Sequence, residues 1–178
     1  MLINVAHLLK ADVGARQAYT IDEAYEYQEG DTSTTWVKGK AVVLRTDKGV
    51  LVSAALELDA ATVCARCLER YRCKLPVRFE EEFFPSVDIN TGAPVAPPEE
   101  PGAFTIDANH QIDLTEAARQ YLLAQMPIRL ICREDCRGLC PQCGRNLNAG
   151  ECCCEPAAQD SRWGALRDFR PVERPDAS

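Results

Sequence analysis

The pattern of apolar and polar positions divides the chain into a β-rich first half, a break, one helix and a cysteine-rich end. From about Gln17 to Phe84 the residues favour strands. Thr34 to Leu44 is rich in Thr, Val and Trp, and Val50 to Leu58 is a second apolar run. Between them Thr46-Asp47-Lys48-Gly49 reads as a hairpin turn, with Gly49 available for a positive φ. Two further strands are predicted, through Thr62 to Arg66 and through Leu75 to Phe84. Pro76 lacks an N–H for a ladder and places the last strand at an edge or near its start. Antiparallel strands at this spacing suggest a curved sheet or partial barrel.

The pattern then breaks. The run SVDINTGAPVAPPEEPG, from Ser86 to Gly102, sustains neither a helix nor a central strand and predicts an exposed loop. After a short apolar patch at Ala103 to Ile106, Leu114, Ala117, Ala118, Tyr121 and Leu122 recur at the spacing of one helical face. Asp113 and Glu116 suit a capping-box variant at its start, and Pro127 ends it. The apolar stripe should pack on the sheet. The expected fold is α+β: an antiparallel curved sheet or partial barrel with one main packed helix over residues 1–128, then a cysteine-rich module and tail over 129–178.

Length and composition, 178 residues with 46% hydrophobic and 26% charged, suit one soluble domain with an appendage. No stretch approaches the ~18 apolar residues of a membrane span. The opening MLINVAHLLK lacks the basic leader and long apolar run of a secretory signal, so a cytoplasmic location is expected. In a reducing compartment ten cysteines point to metal ligation rather than to disulfides. Cys64, Cys67 and Cys73 form one group, and the others lie between Cys132 and Cys154.

The decisive stretch is CREDCRGLCPQCGRNLNAGECCC, from Cys132 to Cys154. Cys140-Pro141-Gln142-Cys143-Gly144 is a zinc-knuckle pattern: two intervening residues put both sulfurs on one side of a tight turn, and Gly144 lets the backbone pass beneath them. Alternate residues of an extended chain point the same way, so Cys152 and Cys154 complete the set, with a short loop through Asn146 and Asn148 between the pairs. Apart from Leu139 and Leu147 the module has few large apolar residues, too few to offset its ordering entropy without a metal. Zn2+ is the expected cofactor, and all-thiolate ligation implies a structural site. An iron–sulfur cluster, a disulfide cluster and a redox CxxC are the open alternatives. Cys132 and Cys136 are either buried free thiols or partners of Cys64 and Cys67 in a second four-cysteine site.

The formal charge of −7 argues against a general nucleic-acid binder. Charge is uneven, however. Arg66, Arg70, Arg72, Lys74 and Arg78 face one acid, Glu69, before Glu80, Glu81 and Glu82 reverse the sign. Around Cys64-Ala65-Arg66-Cys67, a knuckle or turn between strands, Arg66, Arg70, Tyr71, Arg72 and Lys74 form a candidate RNA- or partner-binding patch, with Tyr71 to stack on an unpaired base. The bland reading is a solvated hairpin. No catalytic constellation stands out: His7 and His110 are far apart and read as surface residues, and the three glutamates read as a solvated edge. Trp163 and Phe169 are expected to form an amphipathic turn docking on the domain.

With these residues in view, the chain resembles the YceD family of large-subunit ribosomal RNA accumulation proteins. The resemblance runs from INVAHLLK through Val13-Gly14-Ala15-Arg16, Cys64-Ala65-Arg66-Cys67, the acidic strand Phe79 to Phe84 and Ile112-Asp113-Leu114. It ends on the most specific run, Cys136-Arg137-Gly138-Leu139-Cys140-Pro141-Gln142-Cys143-Gly144-Arg145-Asn146-Leu147-Asn148. It implies a non-enzymatic role in the synthesis, processing or stability of large-subunit (23S) ribosomal RNA during ribosome assembly. The partner would be a ribosomal RNA precursor or a basic large-subunit ribosomal protein, with no membrane contact. A zinc-stabilised protein–protein adaptor without RNA contact is the alternative, and a nuclease acting on precursor RNA lacks a visible base or open metal site.

Overall fold

In the computed structural model the described residues are 1–96, Pro98, 101–154 and Arg162. Trp163 and Phe169, expected to form a docking turn, lie outside them. Four long strands dominate: β2 (Arg16–Glu29), β3 (Thr32–Arg45), β4 (Val50–Val63) and β5 (Arg70–Pro85). They form an antiparallel meander that curls into a half-barrel. A short β6 (Phe104–Ile106) adds to the far end of β5 in parallel, pairing only Phe83 to Pro85. The sheet is therefore mixed rather than antiparallel. The chain between β5 and β6 is long enough to return to the same end, and so β6 enters in the same direction as β5. Elsewhere β5 has β4 on one side and no strand on the other among the described residues, so Pro76 stands on a free edge.

The remaining elements close one end. β1 (Leu2–Asn4) pairs with β7 (Gln111–Asp113), α1 (Ala6–Leu9) follows β1, and α2 (Thr115–Gln125) follows β7. No helix among the described residues is long and apolar enough to cross a membrane.

Strand alternation builds the core. Along β4, Val50, Val52, Ala54, Leu56, Leu58 and Ala60 are buried while most of their alternates are not, which gives the sheet one inner and one outer face. One apolar cluster joins this inner face to Leu8 and Leu9 of α1, to Ile106 and Ile112, and to Ala117, Ala118 and Leu122 of α2. The Tyr121 ring stacks on Phe79 at 5.3 Å, and Gln125 exchanges hydrogen bonds with the backbone of Arg78.

Several local expectations are corrected. Thr62 to Arg66 is not a separate strand: β4 continues through Thr62 to Val63 and the chain then turns at once through Cys64 to Cys67. The capping box does not form. Asp113 accepts the Thr115 N–H at 2.9 Å, while Glu116 turns to Arg119 at 2.6 and 2.8 Å, a stronger charge-assisted pairing. Glu81 and Glu82 are not a solvated edge; Glu81 accepts the Tyr121 hydroxyl and Glu82 the Thr46 hydroxyl, both at 2.6 Å. His7 is exposed, but His110 is half-buried, with a positive φ of 59° and a buried Nδ1 that has no partner.

Gly49 is needed for a reason other than its φ, which is not among the positive values. A Cβ there would lie 2.2 Å from the Phe83 carbonyl oxygen of the neighbouring strand. Gly49→Ala should therefore cost about 3 kcal/mol through strand displacement, measured as a lower urea midpoint with an unchanged slope.

Candidate metal centres

Cys64 lies one residue beyond β4 and Cys67 three residues before β5, so a tight knuckle joins these two strands. Its backbone is fixed by two hydrogen bonds, Cys64 N–H to Glu69 O and Leu68 N–H to Cys64 O, both 2.9 Å. The segment Cys140 to Arg145 repeats the arrangement: Cys140 N–H reaches Arg145 O at 2.8 Å and Gly144 N–H reaches Cys140 O at 2.9 Å. In each, the residue after the second cysteine is left-handed, Gly144 at φ 71° and Leu68 at φ 60°. Glycine adopts this without strain; Leu68 does so at a cost, 62% exposed and free of packing that would reward it. The presence of leucine at that position hides the likeness of the two knuckles in the sequence.

The fold brings two foursomes of sulfurs together. Cys64, Cys67, Cys132 and Cys136 form one, Cys140, Cys143, Cys152 and Cys154 the other, and within each all sulfurs lie within 4.8 Å of one another. Cys132 and Cys136 are therefore not isolated thiols. Cys64 Sγ stands 3.8 Å from Cys136 Sγ, and Cys67 Sγ 3.8 Å from Cys132 Sγ. These are not disulfide distances, which are about 2.05 Å. They match the separation of about 3.8 Å that a tetrahedral ion with bonds of about 2.3 Å to sulfur imposes. The residues fit a thiophilic metal such as zinc.

The first foursome is the more enclosed. Cys64, Cys67 and Cys136 are buried, with Tyr71 and Ile131 packed against them. In the second, Cys140 is buried but Cys143 is exposed and Cys152 and Cys154 are half-buried. Cys153 is exposed and outside the set; Cys73 belongs to neither group.

Donors converge on the sulfurs as they do on metal-bound thiolates. The N–H groups of Arg66 and Cys132 point at Cys64 Sγ, each at 3.4 Å, and Asn148 Nδ2 lies 3.3 Å from Cys136 Sγ. Burial opposes ionisation of Cys64, but N–H groups of Cys67, Cys132 and Arg66 prevail and bring it down to about 6. Cys140 is also brought down to about 6, chiefly by the N–H groups of Cys143 and Gln142. Cys132 is instead pushed up to about 12 by burial and the surrounding thiols, and Cys154 to about 12 by Cys143 and burial. Four converging negative charges repel, so some thiols must hold their protons until a cation neutralises the group.

Two asparagines tie the centres together, a role that sequence reading missed. Asn148 accepts the Arg137 N–H at 2.8 Å while donating to Cys136 Sγ, and Asn146 donates to Glu69 of the first knuckle at 2.7 Å. In the sequence both read as part of a connecting loop, since no periodicity marks a side chain that reaches a sulfur.

The five residues expected to form one basic patch separate. Arg66 donates to the carbonyls of Cys136 and Glu134 at 3.1 and 3.3 Å and so clasps the C-terminal segment. Tyr71 packs against the first cysteine cluster, on the opposite face of β5 from Arg70, Arg72 and Lys74. Those three are exposed, with Lys74 paired to Glu57 at 2.5 Å.

These features define a class: a curled-sheet protein carrying two four-thiol clusters able to hold a metal ion. Residues 52–170 match the family described as Large ribosomal RNA subunit accumulation protein YceD, and the chain belongs to that family. That span contains all eight cysteines of the two clusters. Uncharacterized proteins of Mycobacterium bovis and Mycobacterium tuberculosis are each 32% identical over 124 residues, covering 67% of this chain and 55% of theirs. The chloroplastic Large ribosomal RNA subunit accumulation protein YCED homolog 1 of Arabidopsis thaliana is 33% identical over 60 residues, 34% of this chain and 19% of its own. The chain spans about half the length of the mycobacterial relatives it matches. No solved structure matches it.

The hydrogen bond from Asn148 to sulfur gives a direct test of the first cluster. Asn148→Ala should weaken metal retention there by about tenfold or more, read by competition with a chromogenic chelator, while the Cys140 cluster keeps its metal.

Proposed function

We propose that the protein is a non-catalytic, zinc-stabilised factor in the accumulation of large-subunit (23S-type) ribosomal RNA, acting on its synthesis, processing or stability during cytoplasmic ribosome assembly. The observation that carries this reading is family membership over residues 52–170. The partner is a ribosomal RNA precursor or a basic large-subunit ribosomal protein; the net charge of −7 suits the second.

Zn2+ is assigned to both foursomes, Cys140, Cys143, Cys152 and Cys154, and Cys64, Cys67, Cys132 and Cys136. Four thiolates fill a tetrahedral shell and leave no position for water, so the metal serves structure rather than hydrolysis. An apparent binding energy on the order of 10–16 kcal/mol per site is ample to order a segment with so little apolar surface. The cysteine-bearing segments order around the ions as they bind them.

Two measurements test this. Elemental analysis of untagged protein purified without chelator should find two zinc atoms per chain, falling to one on Cys140→Ser; iron in place of zinc, or no metal, defeats the zinc assignment. Deleting the gene in its own host should lower mature large-subunit RNA relative to small-subunit RNA, with recovery on complementation. An unchanged ratio in both fast and cold growth overturns the ribosomal reading.

A further inference from the structure

The outer face of the half-barrel carries a partly exposed aromatic ring. On β3, Trp36, Lys38 and Lys40 alternate with buried Val37 and Ala41, so all three point outward. Trp36 is 39% exposed, and Val42 on the same face is 41% exposed. Across the sheet Trp36 stands opposite Ala24 of β2 and Asp59 of β4, and Asp59 stands opposite Lys74 of β5. The indole is held in place, its Nε1–H donating to Asp22 Oδ1 at 2.6 Å. Ala24 and Ala61 nearby are too small to cover it.

Beyond the two carboxylates beside the ring, Asp22 and Asp59, cations line the face. Arg72 lies beyond Ala61 on β5 and reaches across to Thr35 Oγ1 at 3.5 Å, next to Trp36. Arg70, Arg72, Lys74 and Arg78 share the outer face of β5, successive members of the first three about 7 Å apart along the strand. Lys40 and Arg78 flank Ala55 from either side in a single rung of the sheet. Asp22 and Glu57 are engaged by Lys38 and Lys74, whereas Lys40, Arg70 and Arg78 have no acidic partner among the described residues. At Glu80 the sign reverses and bounds the strip. On a protein with a net charge of −7 this is a local cationic field around a fixed, flat aromatic surface.

We propose that this outer face, centred on Trp36 and bordered by Lys40, Arg70, Arg72 and Arg78, binds single-stranded RNA, a base stacking on the indole and the backbone phosphates lying along the cations. The proposal rests on the ribosomal reading for its biological setting. A flat ring among cations suits an unpaired base joined to phosphates, because every base has a face to stack and the contact needs no pocket. A basic protein would be repelled by the same cations, and an acidic peptide would leave the ring unused. The face also replaces the patch expected around Tyr71, whose ring is committed to the cysteine cluster.

The test uses the zinc-loaded full chain and a fluorescently labelled short oligouridylate, followed by anisotropy. Trp36→Leu should weaken binding by about tenfold, and Trp36→Phe, which keeps a ring, by much less. Arg72→Glu and Lys40→Glu should weaken it and make its salt dependence shallower, by about 0.7 in logarithmic slope for each phosphate that is no longer neutralised. Lys10→Glu, at the end of α1 on the other side of the sheet, should leave it unchanged. Ultraviolet crosslinks should map to the peptide containing Trp36, with zinc content and circular dichroism the same in every variant. Affinity insensitive to Trp36→Leu, crosslinks confined to the cysteine module, or binding of a polyglutamate peptide in preference to the RNA would each overturn the proposal. A fall in large-subunit RNA on gene deletion without any oligonucleotide binding sinks this surface and leaves the ribosomal reading standing. Trp36-dependent binding with an unchanged RNA ratio does the reverse.

Discussion

The structure depends most on the meeting of Cys64 and Cys67 with Cys132 and Cys136. Those pairs are more than sixty residues apart in the chain, and they join the hairpin end of β4 and β5 to the C-terminal segment. Four sulfurs within 4.8 Å of one another are an unstable arrangement as free thiolates. With a divalent cation the same closeness becomes the source of stability. The packing of Tyr71 and Ile131 around the cluster, the Arg66 clasp and the Asn146–Glu69 hydrogen bond all lie around this junction. Each one orients a segment that has too little apolar surface to orient itself.

The sheet supplies what the junction needs, a stiff base. Four strands of fourteen to sixteen residues give a long ladder, and their alternation, broken by bulges between Ala24 and Tyr27 and between Thr34 and Trp36, puts aliphatic side chains inward against both helices. Strand β5 then divides its labour by face. Its inner side chains, Tyr71, Leu75, Val77 and Phe79, serve the cysteine cluster and the core. Its outer ones, Arg70, Arg72, Lys74 and Arg78, are exposed on the opposite face. One strand thus joins the cysteine-cluster end of the molecule to the cationic face.

Much of this was legible in the sequence for identifiable reasons. The long strands declared themselves by β-branched and alternating residues, the helix by the recurrence of Leu114, Ala118 and Leu122, and the second cysteine foursome by its local CxxC and CxC spacing. Local features failed where a nearby competitor was stronger. Glu116 found Arg119 before it found a cap, and Gly49 answered to the Phe83 carbonyl across the ladder rather than to its own φ. The parallel entry of β6 had no sequence signal, because three residues carry no information about direction.

The sequence by itself determined the long strands β3 to β5, the helix α2, the proline-rich break, the Cys140 knuckle and the likeness to a family, since each of these is written in residues close together along the chain. Only the tertiary structure decided that Cys132 and Cys136 meet the first knuckle, that Leu68 repeats the geometry of Gly144, that Asn148 supports a sulfur, and that Trp36 rather than Tyr71 shares a face with the cations. Those facts depend on sheet register and chain return. A one-residue shift of register would turn every one of these strand side chains to the other face, and no local pattern encodes it.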